Sequence, residues 1–187
     1  MFTVGKGSNL TKEMIERAVE ENESKRGRYD TLENYYLGIH DILSRTKVVG
    51  STNQKVVVNH AKYITDINAG YLLGTPIKYK SLDKKVNIDE IIEEYDKQTI
   101  ADLDMELAKD ISIFGKQYEL IYVDENDVKS KDIDVRNAIC IYDNTVQHDK
   151  MFGVVYQLKG KDIRNGFVSL TVYSKTEMFE DCFNSEG

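Results

Sequence analysis

The stretch from Val56 to Lys80, VVVNHAKYITDINAGYLLGTPIKYK, constrains the fold most, because it marks both ends of one helix. Asn59 is a good N-cap, since its side-chain oxygen can accept from the unpaired N–H groups of a first turn. Apolar residues recur as Ala61, Ile64, Ile67 and Tyr71, the three-and-four spacing of an amphipathic helix. Gly74 stands where a helix takes a left-handed C′ residue, and Pro76 blocks continuation. Ile77 and Tyr79 alternate with Lys78 and Lys80, which predicts a short strand or extended edge.

The rest of the chain divides by period. Thr11 or Asn9 can cap a helix through Met14, Ile15, Ala18 and Val19 that ends near Ser24, with a break at Lys25-Arg26-Gly27-Arg28. A second helix places Leu32, Tyr35, Tyr36, Ile39 and Leu43 on one face. Residues Lys47 to Lys55 read as a loop. Asn87 can cap a short helix holding Ile88, Ile91, Ile92 and Tyr95. A long apolar stripe follows at Ile100, Leu103, Leu107, Ile111 and Phe114, stopped by Gly115. Beyond it, strands are expected at Tyr118–Val123, Ile133–Tyr142, Phe152–Leu158, Val168–Tyr173 and Glu177–Phe183. Asp124-Glu125-Asn126-Asp127 reads as a turn and Arg164-Asn165-Gly166 as a hairpin turn. Helices followed by antiparallel strands give an α+β class. A single domain is expected over residues 1–187, helical over 1–115 and β-rich over 116–187, since Gly115 marks a change of texture and not a linker.

Composition excludes several roles. The 187 residues are 41% apolar and 30% charged, which is globular and not disordered. No apolar run approaches the roughly 20 residues that cross a bilayer, and the start MFTVGKGSNL lacks a signal-peptide core, so a cytosolic protein is expected. Cys140 and Cys182 then read as buried, reduced thiols, with a disulfide as the lesser alternative. A net charge of −7 argues against a basic face that neutralises phosphates. It leaves room for a protein that surrounds DNA without gripping it, because an acidic wall holds no deep electrostatic traps.

No arrangement of residues calls for catalysis, a cofactor or a metal. His40, His60 and His148 have no partners in a metal-ligand spacing. Packing or solvated roles suit His60 and His148 better. Ser112 and Ser169 have neither a nucleophile elbow nor an evident base. Gly5-Lys6-Gly7-Ser8 is not a phosphate loop, and a flexible N-terminal arm is the better reading. Asp102, Asp104 and Asp110 are scattered, whereas metal-dependent nuclease chemistry clusters its carboxylates. Asp124 to Asp127 lacks the glycine and closing Glu of a calcium loop. Tyr63, Tyr71 and Tyr79 with nearby lysines could stack on nucleic acid. Packing at helix or subunit interfaces is favoured, since Tyr joins an apolar body to a polar tip. Gly70 either permits close helix approach or merely weakens its helix by about 1 kcal/mol. Lys25, Arg26 and Arg28 could touch DNA or an acidic partner, with a solvated interhelix turn favoured.

Three ordered blocks carry a family likeness. Asn59-His60-Ala61-Lys62-Tyr63-Ile64 with Gly70-Tyr71-Leu72-Leu73-Gly74-Thr75-Pro76 resembles the N-terminal region of portal (connector) proteins of tailed phages and prophages of Gram-positive bacteria. Tyr35-Tyr36-Leu37-Gly38 with Ile42-Leu43 is similar to that family's early "YY-x-G" helix. Asp110-Ile111-Ser112-Ile113-Phe114-Gly115-Lys116-Gln117-Tyr118-Glu119 resembles its helix-to-strand junction, and Ile141-Tyr142-Asp143 and Val172-Tyr173 its later strands.

The resemblance implies a structural subunit of a dodecameric ring at one capsid vertex, assembled in the bacterial cytoplasm. The ring would form the channel for double-stranded DNA, without sequence specificity. It would dock terminase, scaffolding and head-completion or adaptor proteins, with no membrane partner and with ATP hydrolysis left to the terminase. Asn59, Tyr63, Gly70, Tyr71, Gly74, Pro76 and Gly115 become structural or interface candidates on that reading. Such proteins are much longer, so this chain would correspond to the peripheral wing, with stem, clip and crown following Gly187. A monomer or weak oligomer is then expected in isolation. Two other classes stay open: a stand-alone capsid or tail adaptor, and a phage nucleic-acid-processing enzyme.

Overall fold

Ile15, Ala18, Val19 and Asn22 fall at i, i+3, i+4 and i+7, so a single helix face presents all four, and all four are buried. They lie on helix α1 (Lys12–Leu37), which begins where the Thr11 hydroxyl accepts from the Met14 N–H at 3.3 Å. The computed structural model describes residues 1–46, 54–83, 85–125, 127–160, 163 and 166–180. Contacts gather the chain into two units, one of Met1–Arg28 with Ile133–Gly187 and one of Tyr29–Asp132. Among the described residues no helix is long and apolar enough to cross a membrane. Helices and sheets are segregated as an α+β fold requires.

In the first unit the apolar face of α1 covers a five-stranded sheet. Its strands are β1 (Phe2–Val4), β4 (Ala138–Asp143), β5 (Lys150–Leu158), β6 (Phe167–Tyr173) and β7 (Met178–Glu180), in the order β1-β4-β5-β6-β7. All neighbours are antiparallel except β1, which adds to β4 in parallel with Phe2 opposite Ile141. Alternation places Ile139 and Ile141, Val154 and Tyr156, and Leu170 and Val172 on the face toward Ile15, Ala18 and Val19. Each fully buried aliphatic side chain there contributes roughly 1.5–3 kcal/mol relative to exposure. A register shift between Gln157 and Leu158 brings Phe167 onto the same core, where its ring meets Tyr156 edge-on at 6.3 Å.

Three expectations change here. The helix does not break at Lys25 to Arg28: α1 runs through them. Glu21 pairs with Lys25 and Glu23 with Arg26 along it, and Arg26 Nη2 donates to the Arg136 carbonyl at 2.9 Å. Those interactions outweigh the cost of Gly27, about 1 kcal/mol inside a helix. The N-terminus is no loose arm: Phe2–Val4 is a strand with Val4 buried, and only Gly5 to Ser8 forms a turn. The strand expected over Ile133 to Tyr142 is interrupted, because Asp134 to Asn137 turns back on itself with the Asn137 N–H donating to the Asp134 carbonyl.

Two buried polar groups organise this unit. Asn22 Nδ2 lies 3.0 Å from both the Val135 carbonyl and the Tyr156 hydroxyl oxygen, and the Tyr156 O–H donates to Glu23 at 2.9 Å. Burial, with the neighbouring Glu23 carboxylate, raises the Tyr156 phenol far above its usual range, so it stays a donor. Asp143 ends β4, and its Oδ1 accepts from the Thr145 hydroxyl at 2.7 Å and from the N–H groups of Thr145 and Asp149. The Thr145 hydroxyl, followed by those two backbone donors, outweighs burial and holds its carboxyl below the ordinary value.

The second unit contains α2 (His60–Leu73), α3 (Asp89–Lys97), α4 (Ile100–Phe114) and a two-stranded sheet of β2 (Tyr118–Asp124) and β3 (Asp127–Ile133), all but the last residue of β3. It also holds the end of α1, where Gly38 at φ 79 supplies a left-handed stop and the Ile39 N–H reaches back to the Asn34 carbonyl. Tyr29 meets Phe114 edge-on at 6.0 Å. Lys116 lies over the rings of Tyr29 and Tyr118 at 5.5 and 5.0 Å. Strand β3, DVKSKDI, was not foreseen, because its polar composition lacks an apolar alternation.

Asn22→Ala is expected to destabilise the chain by roughly 1–3 kcal/mol, through the donors lost to Val135 and Tyr156, in urea unfolding followed by circular dichroism. Asp143 has a depressed folded pKa, so its contribution is complete above the unfolded carboxylate value of about 4 and fades as pH falls through the folded value. The stability gap between wild type and Asp143→Ala in urea titrations should therefore hold at pH 5–7 and narrow below about pH 4.

Candidate assembly surface

Asn59 is the hinge of this region. Its Oδ1 accepts from the Lys62 N–H at 2.9 Å, capping α2 as expected. Its Nδ2 donates to the Tyr36 carbonyl at 2.7 Å, satisfying an end carbonyl of α1. One side chain thus closes two helix ends. Beside it the Tyr36 hydroxyl donates to Asp66 at 3.2 Å, and Lys62 sits over the Tyr36 ring at 4.6 Å and pairs with Asp66. This sets the rotation of α2 about its axis. Thr65 and Ala69 turn inward toward α4, where Ser112 Oγ donates to Thr65 Oγ1 at 3.3 Å.

That rotation overturns the sequence assignment of the buried face. Ile64 and Ile67 are exposed, and Tyr71 is 90% exposed. Tyr63 and Leu72 are exposed beside them. The helix is apolar around much of its circumference, and the small side chains of Thr65 and Ala69 suit close packing on α4 better than the larger ones. Gly70 lies on the outer surface, where an added Cβ would meet nothing within 4 Å.

The helix stop is also corrected. Gly74 has φ −61 and ψ −16, a right-handed conformation, with its N–H on the Gly70 carbonyl. Glycine is needed there because a Cβ would come within 2.3 Å of the Gly70 oxygen. The left-handed site is Gly115, φ 79, which closes α4 with its N–H on the Ile111 carbonyl. Pro76 opens a segment to Lys80 that joins no strand ladder among the described residues. Ile77 and Tyr79 instead line a cleft with α3 and α4, and the Tyr79 ring meets Tyr95 edge-on at 5.3 Å.

The two units differ sharply in burial. Among the described residues, every buried apolar residue apart from Tyr29 and Ala69 belongs to the unit of the five-stranded sheet. Most of the large exposed apolar side chains belong to the other, on α2, on residues 76–82, on Ile91 and Tyr95 of α3 and on Ile121 and Val123 of β2. Monomeric domains rarely leave contiguous apolar surface of that kind open. Sequence reasoning named Tyr63, Tyr71 and Tyr79 from this surface as interface candidates, whereas Ile64 and Ile67 entered only with Tyr71 as the apolar stripe of the helix and Leu72 only within the family motif. Of the histidines, His40 meets Tyr35 edge-on at 5.0 Å, His60 sits in the first turn of α2, and His148 Nδ1 lies 3.1 Å from the Asp143 carbonyl. Cys140 is half-buried in β4, and Cys182 lies outside the described residues, as do Arg164 and Asn165 of the expected hairpin turn. Among the described residues no group of His, Cys, Asp and Glu could hold a metal ion.

A family model described as "Phage portal protein, SPP1 Gp6-like" matches residues 15–185. The chain belongs to that family. Its members are structural proteins of the phage particle, components of a capsid vertex, and not enzymes. No curated protein matches the chain. The portal match spans both units and includes all seven candidate positions from Asn59 to Gly115.

Two glycine pairs separate the mechanisms at the helix ends. Gly115→Ala should cost roughly 1–2 kcal/mol through its positive φ, and Gly115→Asn less, since Asn tolerates that region. Gly74→Ala and Gly74→Asn should destabilise alike, by roughly 1–3 kcal/mol, because both carry the colliding Cβ. Thermal unfolding of the four variants checks this.

Proposed function

We propose that this chain is the wing-like N-terminal portion of a longer portal subunit, a single α+β domain formed from both units, of the Gram-positive siphophage type. Copies close into a dodecameric ring around double-stranded DNA, head to tail, each giving one surface to the next. The ring conducts DNA into and out of the capsid and docks terminase, scaffolding and head-completion proteins. The match to the portal family over residues 15–185 carries this reading.

The exposed face of α2 supports an assembly role for Tyr63, Ile67, Gly70 and Tyr71 within it. Aromatic residues are enriched at protein interfaces, and a glycine without neighbours inside its own chain lets a second backbone come close. Asn59, Gly74, Pro76 and Gly115 hold that face in shape. The acidic balance of −7 suits a conduit that does not retain DNA.

In the complete portal polypeptide, Tyr63→Ser with Tyr71→Ser should abolish rings in negative-stain electron microscopy. The same pair should change the stability of the 187-residue chain by no more than about 0.5 kcal/mol, since both side chains are exposed. Rings that persist in the double variant would remove α2 from the interface. A wild-type product that never forms an annulus would defeat the ring itself.

A further inference from the structure

A second surface of the helical unit shares no lining residue with α2. A groove of about 640 Å³ lies between α3, the start of α4 and the β2–β3 hairpin. Gln98 braces it, donating to Glu94 at 2.7 Å and to the Val128 carbonyl, so one amide ties the helices to the hairpin. The floor is apolar, with Ile91, Tyr95 and Val128 all partly open to solvent. The walls carry Glu90, Glu94, Glu119 and Asp127 against a single cation, Lys129, which is itself paired with Asp124. Among the described residues neither Glu90 nor Glu119 is in an ion pair, although Glu119 Oε1 accepts from the Ser130 hydroxyl, and Glu94 is held by Lys97 and Gln98.

We infer that this groove docks a cationic amphipathic segment of a partner protein, its apolar side chains on Ile91, Tyr95 and Val128 and its lysine or arginine heads against Glu90 and Glu119. Charge complementarity selects the occupant. An open groove with an apolar floor accepts a row of side chains, and an acidic wall repels nucleic acid and acidic peptides. Tyrosine faces beside carboxylates also favour a cation. The field is already felt nearby: burial, then Glu119, raises the Asp104 carboxyl, and burial, then Asp104, Tyr95 and Glu119, raises the Tyr79 phenol. A second copy is a poorer match through its exposed α2 face, whose Lys62 is spent on Asp66.

The test uses the 187-residue chain and two fluorescent amphipathic peptides of identical leucine pattern, one with lysines and one with glutamates. Fluorescence anisotropy at about physiological ionic strength should detect binding of the lysine peptide only. Glu90→Gln with Glu119→Gln should weaken it at least tenfold. Glu16→Gln with Glu20→Gln on α1, the same change in net charge, should stay within twofold. Methyl shifts on binding should centre on Ile91 and Val128. Equal weakening by both pairs, binding of the glutamate peptide, or shifts elsewhere would overturn the proposal. So would a concentration-dependent dimer by light scattering that the Glu90 and Glu119 changes dissolve, because a second copy would then be the occupant. Rings of the complete polypeptide should survive these changes, so failure of the groove and failure of the ring reading are told apart.

Discussion

The sheet-bearing unit depends on one helix face. Ile15, Ala18 and Val19 give it a lid for the sheet, and Asn22, one turn further on, gives it a fixed register. An amide sealed from water must place its donors well or cost stability, so Asn22 tolerates only one arrangement of the turn after Asp134 and of the Tyr156 hydroxyl. Glu23 and Arg26 extend the same network to the Arg136 carbonyl. The helix therefore stays intact where its own sequence invites a break.

The helical unit is built on a different balance. Its packing relies on small side chains and ring edges, Thr65 and Ala69 on α4, Tyr29 on Phe114 and Tyr79 on Tyr95, while many large apolar side chains stay open. Such a surface is costly in water and sensible in an assembly, where the area left open by one chain is covered by another copy or by a partner. The portal family to which the chain belongs is structural, and a burial pattern split this way suits a building block better than a self-contained catalyst.

Elements with strong local signals were legible. Asn59 capped its helix, Gly115 stopped α4 at positive φ, and the alternations around Val154 and Val172 became strands. Elements fixed by distant partners were not. Phe2 to Val4 is too short to show a period and is a strand only because β4 offers an edge. Strand β3 exists because β2 pairs with it. Gly27 reads as a breaker until Arg26 finds the Arg136 carbonyl. The candidate surface was half visible: Tyr63 and Tyr71 stood out as aromatic residues, whereas Ile64 and Ile67 looked like core.

Sequence alone determined the class, the family likeness and the positions of most helices, because caps, stops and apolar periods act within a few residues of themselves. Tertiary structure alone decided which face of α2 is buried, since a helix apolar on two sides carries no preference until Tyr36, Asp66 and Ser112 take one of them. It likewise decided why Gly74 is glycine. Neighbouring residues permit either a left-handed turn or a tight right-handed one, and only the distance to the Gly70 oxygen tells them apart.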